Sequence, residues 1–350
     1  MENLDLLKKI LEVQSPSGNE FAIQKLLIEE YKDVDEKVIT HHNYNVVHAI
    51  NPESNFKVLL SGHVDEISMI VEEIRTDGTL RVCSNGGIRP YCYIGQHVEI
   101  LHKDLEGNIT KVPAVVTYLP NMDKGITVGD LIVDLGFDKK EDTEKLVTIG
   151  DPIVHKSSYQ MLQNNRFSAR ALDDRLGAFI CLEAMRRVKE AKGKHGVYVS
   201  TTVGEETSGR GAQAAAEQIK PNCAIIVDVT YASDIKYREN LTNPVSLGKG
   251  PALTRGGSIN DRLEQIVLSA ANKLGIKTQF EVASSRTYTD LDDIFARMEG
   301  IPSYLISIPL RYMHSAVEVC DLKDVEEIIE LITQVILDLD ENETFNMFDK

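Results

Sequence analysis

One change of pattern along the chain restricts its fold more than any other feature. Over 1–66 and again over 160–350, helical apolar periodicity alternates with short apolar runs. Between them, over 67–159, short alternating segments are separated by turn signals such as Asp-Gly at 77–78 and Gly-Gly at 86–87. Many short strands of this kind are typical of a small barrel or sandwich, whereas helices alternating with buried strands indicate an α/β sheet. The sequence therefore predicts one discontinuous α/β domain that is interrupted by a β domain.

The α/β part has its own order of predicted elements. Helical periodicity predicts helices over 4–11 and 19–31, the second capped by Asn19, and a final amphipathic helix over 325–336. Apolar runs that suit strands buried on both faces span 58–60, 197–203, 224–227 and 304–308. Further helices are expected after Asp173-Asp174, after Gly211 and over 263–274.

The composition argues against several classes of function. Among 350 residues, 38 basic and 54 acidic residues give a net charge of −16, so nucleic acid and anionic membranes, which are polyanionic, are not expected as partners. The five cysteines contain no C-x-x-C pair, which argues against a disulfide framework or a structural zinc knuckle. No apolar run reaches the roughly 18 residues of a membrane helix, and the first residues are acidic rather than basic. We therefore expect a cytoplasmic globular protein.

The informative polar residues follow predicted strands or open a predicted helix. In open α/β sheets, binding sites form at the carboxyl ends of the strands. The residues in these places are His63, Asp65, Asp173, Asp174, Glu205, Glu206, Asp228 and His314. Two imidazoles and several carboxylates without a thiolate predict a site for Zn²⁺, Co²⁺ or Mn²⁺, and so many ligands can hold two ions that share one carboxylate.

Each of these residues also has an ordinary structural interpretation. A single histidine after a strand is commonly structural, Asp173 and Asp174 suit the first turn of a helix, and Glu205-Glu206 suits a solvated loop. Asp228 fits such an interpretation less well, because an acid beside a buried strand needs a partner. The coincidence of all these placements is what favours a metal site.

Five ordered segments resemble one known family. They are Ser-Gly-His-Val-Asp-Glu at 61–66, Ala-Leu-Asp-Asp-Arg-Leu-Gly at 171–177, Gly-Glu-Glu at 204–206, Val-Asp-Val-Thr at 227–230 and Arg-Tyr-Met-His-Ser at 311–315. Their order and spacing are similar to those of the di-metal aminopeptidases that include glutamyl aminopeptidases, deblocking aminopeptidases and the tetrahedral (TET) peptidases. Some members of that family carry an endoglucanase label. The resemblance spans essentially the whole chain.

The resemblance implies a fold, an activity and a role for each site residue. The fold is an α/β/α metallopeptidase domain with a mixed sheet and an inserted small β-barrel-like domain. The activity is removal of the N-terminal residue from short peptides with two divalent metal ions. The implied roles are His63 and Asp228 on one metal, Glu206 and His314 on the other, Asp173 as the bridge, Glu205 as general base and Asp65 as the residue that orients His63. Asp173 is preferred to Asp174 because the second position of the family motif looks interchangeable with asparagine.

The expected partners are peptide substrates and further copies of the chain. The resemblance implies a homodimer or a homododecamer, assembled through the β domain at 67–159. A small β domain has exposed strand edges, and burial against a second copy would remove them from solvent.

Two segments depart from the family pattern, and other functions stay open. Thr-Ser-Gly at 207–209 replaces the usual apolar pair, and 285–290 lacks the Gly-Gly that often precedes Thr-Asp, which leaves the side-chain preference open. A deacylase or carboxypeptidase would place an arginine against the substrate carboxylate; the unassigned candidates are Arg255, Arg286 and Arg311. A non-catalytic assembly protein would not need Glu205. A glycosidase would need an aromatic cleft, and the chain has no Trp and only 6% aromatic residues.

Overall fold

Helices and strands alternate along the chain except in one stretch made almost entirely of strands. The computed structural model describes residues 3–118, 125–235 and 244–349. Its helices are α1 Leu4–Glu12, α2 Phe21–Tyr31, α3 Lys140–Thr143, α4 Leu172–Glu190, α5 Arg210–Ile219, α6 Asp261–Leu274, α7 Asp290–Ile294 and α8 Leu322–Asp338. No helix in the described ranges has the length and hydropathy of a membrane span.

The strands fall into three groups along the chain. The first are β1 Lys37–Thr40, β2 Val46–Ile50 and β3 Lys57–His63. The second are β4 Ser68–Ile74, β5 Leu80–Asn85, β6 His97–Lys103, β7 Ile109–Tyr118, β8 Leu131–Asp134 and β9 Pro152–His155. The third are β10 Tyr159–Met161, β11 Arg166–Ala169, β12 Gly196–Thr202, β13 Cys223–Tyr231, β14 Ala252–Gly256, β15 Gln279–Ala283, β16 Ser303–Leu310 and β17 Glu318–Asp321.

An eight-stranded mixed sheet forms the centre of the α/β part, with the strand order β1-β2-β12-β3-β13-β16-β14-β15. Strands β12, β3, β13 and β16 run parallel to one another, while β2 and β14 join this group antiparallel. These parallel strands are buried along almost their whole length. Their near-continuous apolar sequences follow from this burial, because helices cover both faces of such a sheet.

Two apolar cores lie on the two faces of the sheet. The larger core packs α1, α2, α4, α6 and α8 and contains Leu27, Phe179 and Ile332. The smaller core packs α5 and α7 and contains Ala215 and Leu291. Each fully buried Leu, Ile or Phe side chain contributes roughly 1.5–3 kcal/mol relative to an exposed one. The α/β/α layers and the mixed sheet confirm the expected fold class.

A closed barrel with strand order β4-β5-β8-β7-β6-β9 lies in the chain between β3 and β10. Burial alternates along β7, where Val112, Ala114 and Val116 point inward, as the period of a barrel strand requires. The barrel has a core of its own, and its closure confirms the expected barrel-like insert. Strands β10, β11 and β17 form a separate three-stranded sheet. The division of the chain into domains at 1–66, 67–159 and 160–350 stays a prediction.

Two local expectations differ from the structure. Asp228 does not follow its strand but lies within β13, because the parallel pairing with β16 continues from Ala224 to Tyr231. The expected capping by Asn19 is wrong: α2 begins after Glu20, and no side chain caps it. Asp173 and Asp174 fall at the start of α4 as expected, but their backbone dihedrals are not helical.

His155 is buried at the end of the barrel strand β9. Its ring stacks on Tyr93 with the centroids 3.9 Å apart, and neither ring nitrogen has a hydrogen-bond partner among the described residues. Burial lowers the pKa of His155 from 6.5 to about 4, because the charged imidazole would lose its hydration there. Between these two pH values the unfolded chain therefore binds a proton that the folded chain excludes.

We predict that His155→Phe makes the free energy of unfolding less sensitive to acid. As pH falls from about 6.5 to 4, proton uptake by the unfolded state should cost the wild type up to about 3 kcal/mol of unfolding free energy through this residue. Phenylalanine keeps a ring against Tyr93 but takes up no proton, so the variant should gain stability relative to the wild type as the pH is lowered. Denaturant titrations of both proteins across this range measure the difference. A difference that stays constant with pH contradicts the prediction.

Candidate active site

The residues expected at the ends of strands meet at one edge of the mixed sheet. Strands β12, β3, β13 and β16 are parallel neighbours, so their carboxyl ends lie side by side. The residues brought together there are His63, Asp65, Asp173, Glu205, Glu206, Asp228 and His314. All seven residues to which the resemblance gives a role therefore lie in one cluster.

His63 is the last residue of β3, and its side chain is buried. Its Nε2 lies 3.3 Å from Asp173 Oδ1 and 3.7 Å from Glu205 Oε2. Its Nδ1 lies 3.1 Å from the carbonyl oxygen of Asp65 and 3.5 Å from the carboxylate Oδ1 of the same residue. Nδ1 faces oxygen acceptors, so in a neutral ring it is the nitrogen that donates, and Nε2 would then be the nitrogen available to a metal ion. This tautomer suits a metal ligand.

Asp65 also fixes the acidic loop after β12. Its Oδ1 accepts a hydrogen bond from the backbone N–H of Glu205 at 3.1 Å. The main chain of Asp65 thus orients the His63 ring, while its side chain holds the backbone of Glu205. The sequence indicated that the Asp65 carboxylate could accept from His63, but the carbonyl oxygen of Asp65 lies closer to Nδ1, at 3.1 Å against 3.5 Å. Nothing in the sequence indicated the contact with Glu205.

His314 approaches the cluster from the segment after β16. Its Nε2 lies 3.3 Å from Asp173 Oδ2 and 3.7 Å from Glu206 Oε1. Its Nδ1 donates to the carbonyl oxygen of Gly87 at 2.9 Å. Gly87 belongs to the barrel region, so the Gly-Gly turn at 86–87 supplies a backbone contact to the site. Sequence reasoning treated this pair as a turn alone.

Asp173 stands between the two histidines, with one carboxylate oxygen toward each. Burial opposes its ionisation, but hydrogen bonds from His314 and His63 outweigh burial and lower the pKa of Asp173. Asp174 is held differently: its Oδ1 accepts from the N–H of Gly177 at 3.1 Å and its Oδ2 from the N–H of His63 at 3.2 Å. The two adjacent acids therefore occupy distinct environments.

Two groups in the cluster could hold a metal ion. One is His63, Asp173 and Glu206; the other is His63, Asp174 and Asp228, and within each group the possible ligand atoms lie within 4.8 Å of one another. Burial raises the pKa values of Glu205, Glu206 and Asp228, and the neighbouring carboxylates raise them further. So many buried acids beside two imidazoles form a donor set that fits divalent cations.

Two further buried acids support the cluster, and sequence reasoning missed their roles. Asp290 opens α7 and accepts hydrogen bonds from Ser61 in β3 and from Thr202, the last residue of β12. The Thr-Asp pair at 289–290 was a usable signal, because this pairing is common at helix starts. Glu318 accepts hydrogen bonds from main-chain N–H groups in two segments of the site. No pattern in the sequence around Glu318 indicates this role.

A cavity of about 770 Å³ opens onto the cluster. Glu205, Asp228 and His314 line it from the sheet edge, and Gly87 lines it from the barrel region. Arg286 and other residues of 286–289 line it from the loop before α7. The cavity is large enough for a small organic ligand or a short peptide end.

The fold has clear relatives among solved structures. The TET aminopeptidase from the marine sediment archaeon Thaumarchaeota archaeon SCGC AB-539-E09 superposes with a TM-score of 0.90 at 30% identity, covering 97% of this chain and 98% of that one. The TET1 peptidase of Pyrococcus horikoshii gives a TM-score of 0.84 at 29% identity, covering 96% and 99%. The chain thus has the fold of the TET aminopeptidases.

Sequence comparison identifies the family. The profile of the M42 glutamyl aminopeptidases matches residues 45–331. The lysyl aminopeptidase of Pyrococcus furiosus is 32% identical over 344 residues, which cover 97% of this chain and 98% of that protein. The chain belongs to the M42 glutamyl aminopeptidase family, and it is a peptidase. The resemblance found in the sequence motifs is confirmed.

We predict that Gly87→Ala impairs the site although Gly87 carries no side chain. A Cβ atom there would lie 2.7 Å from Cε1 and 2.8 Å from Nδ1 of His314, so the ring would have to move. Peptidase activity should fall at least about tenfold, which is about 1.4 kcal/mol of transition-state stabilisation, while the unfolding midpoint changes little. Gly129→Ala is the matched control in the barrel region, since a Cβ there meets nothing closer than 3.9 Å. Equal activity in the two variants contradicts the prediction.

Proposed function

We propose that this M42 peptidase removes the N-terminal residue of short peptides and uses two divalent metal ions to do so. The observation that carries the proposal is the position of Asp173, whose two carboxylate oxygens each lie 3.3 Å from a different histidine, His63 and His314. A carboxylate placed in this way suits a ligand shared between two ions. Family membership supports the peptidase activity.

The proposed ligand set is the one that the resemblance to the family implies. His63 and Asp228 would hold one ion, Glu206 and His314 would hold the other, and Asp173 would bridge them. Nδ1 of each histidine lies within hydrogen-bond distance of a carbonyl oxygen, so a neutral ring that donates there would present Nε2 to a metal ion. Imidazole and carboxylate donors without a thiolate suit Zn²⁺, Co²⁺ or Mn²⁺.

Glu205 is the proposed general base. Two divalent cations, when bound, supply a water of lowered pKa and polarise the scissile carbonyl. The Glu205 carboxylate lines the cavity and lies 3.7 Å from His63 Nε2, within reach of a water beside the metal ligands. It would accept the proton of that water and later deliver it to the leaving amine. The contact between its N–H and Asp65 keeps this carboxylate at the edge of the sheet.

A deacylase or carboxypeptidase activity is the alternative that the cavity still allows. Arg311 is paired with Asp234, and Arg255 with Glu264, so neither cation is free for a substrate. Arg286 lines the cavity and has no ion pair among the described residues. It is the candidate that could bind a substrate carboxylate. Peptides with blocked N-termini and N-acyl amino acids separate this activity from an aminopeptidase.

We predict that Glu205→Gln abolishes turnover of aminoacyl-p-nitroanilides while two metal ions per chain stay bound. The amide cannot accept the proton, but no proposed ligand is removed, so the rate should fall at least about 10³-fold. Activity and metal content by elemental analysis are measured on the same samples.

The controls for this experiment are wild type stripped by a chelator and wild type reloaded with Zn²⁺, Co²⁺ or Mn²⁺. Stripping should abolish activity and reloading should restore it. Activity that survives complete removal of metal would refute the metal mechanism. Loss of metal from Glu205→Gln would instead make Glu205 a ligand and reverse the roles of Glu205 and Glu206.

We also propose that the chain assembles with itself through the barrel region at 67–159, as a dimer or a dodecamer. Large apolar side chains are exposed there, among them Tyr91 at 64%, Leu105 at 108% and Ile109 at 47%. Such side chains on a small β domain suit burial against another copy. The P. horikoshii relative is described as assembling into a tetrahedron or a large octahedral shell.

We predict that Leu105→Lys combined with Ile109→Lys lowers the molar mass measured by light scattering at micromolar concentration, because two charges cannot be buried unpaired at an interface. Met298→Lys, at an exposed apolar residue outside the barrel region, should leave the mass unchanged. A wild-type monomer with full peptidase activity would refute assembly through the barrel region. A fully active dimer would agree with an interface in the barrel region and would exclude only the dodecamer.

A further inference from the structure

We propose that Glu318 is a positioning residue that fixes the backbone of two metal-binding residues at once. Its side chain is buried, and both carboxylate oxygens accept hydrogen bonds from the main chain. Oε2 accepts from the N–H of Leu172 at 2.7 Å and from that of Asp173 at 3.2 Å. Oε1 accepts from the N–H of His314 at 2.8 Å. One carboxylate therefore joins two segments that are 141 residues apart, counted from Asp173 to His314.

The main-chain N–H groups of these two segments need a hydrogen-bond acceptor from another part of the chain. Asp173 has φ −75° and ψ 110°, which are not helical values. Ala171, two residues earlier, is in the left-handed region at φ 52°. His314 is itself in the left-handed region, at φ 65°. Neither N–H is used within a regular helix or strand, and an unpaired buried N–H group costs about 1–3 kcal/mol. Glu318 satisfies both groups and so stabilises conformations that the local sequence does not favour.

The position of Glu318 is itself fixed by the three-stranded sheet. Glu318 is the first residue of β17 and pairs with Ala169, the last residue of β11. The chain then passes from β11 directly into the segment of Leu172 and Asp173. The pairing of β11 with β17 thus places the carboxylate beside the N–H groups that it accepts from.

This arrangement sets the distance between two proposed ligands. Asp173 Oδ2 and His314 Nε2 lie 3.3 Å apart, and the main chain of each residue is tied to the same carboxylate. Groups that hold ligands in place commonly change metal affinity 10–100-fold when they are altered. Because both oxygens of Glu318 are occupied by N–H donors, it acts through Asp173 and His314 rather than on the metal. The inference rests on the proposed two-metal site.

The test compares Glu318→Gln with Asp324→Asn. The side-chain amide of glutamine has an oxygen acceptor on one side and an NH₂ donor on the other. The main-chain N–H groups that face the NH₂ group therefore lose their acceptor. Asp324 is a matched control: it is also buried and also accepts from two main-chain N–H groups, Gly248 at 2.6 Å and Gly250 at 2.8 Å, but it lies on α8 outside the cluster. Zn²⁺ affinity is measured by competition with a chromophoric chelator, and kcat and KM are measured with an aminoacyl-p-nitroanilide.

We expect Glu318→Gln to weaken Zn²⁺ binding about 10–100-fold and to lower kcat more than it raises KM, while Asp324→Asn binds Zn²⁺ as the wild type does. Wild-type Zn²⁺ affinity in Glu318→Gln would overturn the proposal, and so would an equal loss in both variants. If Glu318→Gln does not fold, Glu318→Asp replaces it, since the shorter side chain keeps the charge but cannot span both segments. A wild type that binds Zn²⁺ but hydrolyses nothing would refute the proposed function, and the Zn²⁺ comparison would still decide the role of Glu318.

Discussion

The parallel pairing of β12, β3, β13 and β16 is the constraint on which the rest of the structure depends. Parallel strands end at the same edge of a sheet, so residues that are far apart in the chain meet there: His63 at the end of β3, Glu206 after β12 and His314 after β16. These strands are buried on both faces. A slip of one residue would exchange the side chains of the two faces, so the packing of both cores holds the spacing of the site.

The same edge concentrates buried negative charge, which by itself opposes folding. Burial raises the pKa values of Glu205, Glu206 and Asp228, since a carboxylate there has lost its hydration. Main-chain N–H groups compensate part of this cost, as they do at Asp174 and Glu318. Bound divalent cations would compensate much of the remainder, and a ligand that binds only the folded state stabilises it by mass action. Under the two-metal proposal, the ions that serve catalysis would therefore also stabilise the fold.

A second buried network joins the sheet edge to the barrel region. Glu66 lies between β3 and β4, and its carboxylate accepts from the N–H of Ser15 at 2.9 Å, from Arg175 at 2.6 Å and from Arg170. A buried ion pair costs desolvation free energy and is tolerated when its remaining hydrogen bonds are satisfied. This network fixes the start of the barrel region relative to His63, and the carbonyl of Gly87 then fixes the His314 ring. The barrel region is thus connected by hydrogen bonds to the candidate active site.

The sequence by itself determined the fold class, the inserted barrel and the set of residues in the cluster. Apolar periodicity and polar residues beside buried runs are local properties, so they can be read without knowing how distant segments meet. The family motif already favoured Asp173 over Asp174. The different surroundings of the two adjacent side chains, Asp173 between the histidines and Asp174 against main-chain N–H groups, appear only in the tertiary structure. It alone gave roles to Glu318 and to the carbonyl of Gly87. Their contacts involve main-chain atoms, which every residue carries, and the partners of such atoms are decided only when segments far apart in the chain are packed together.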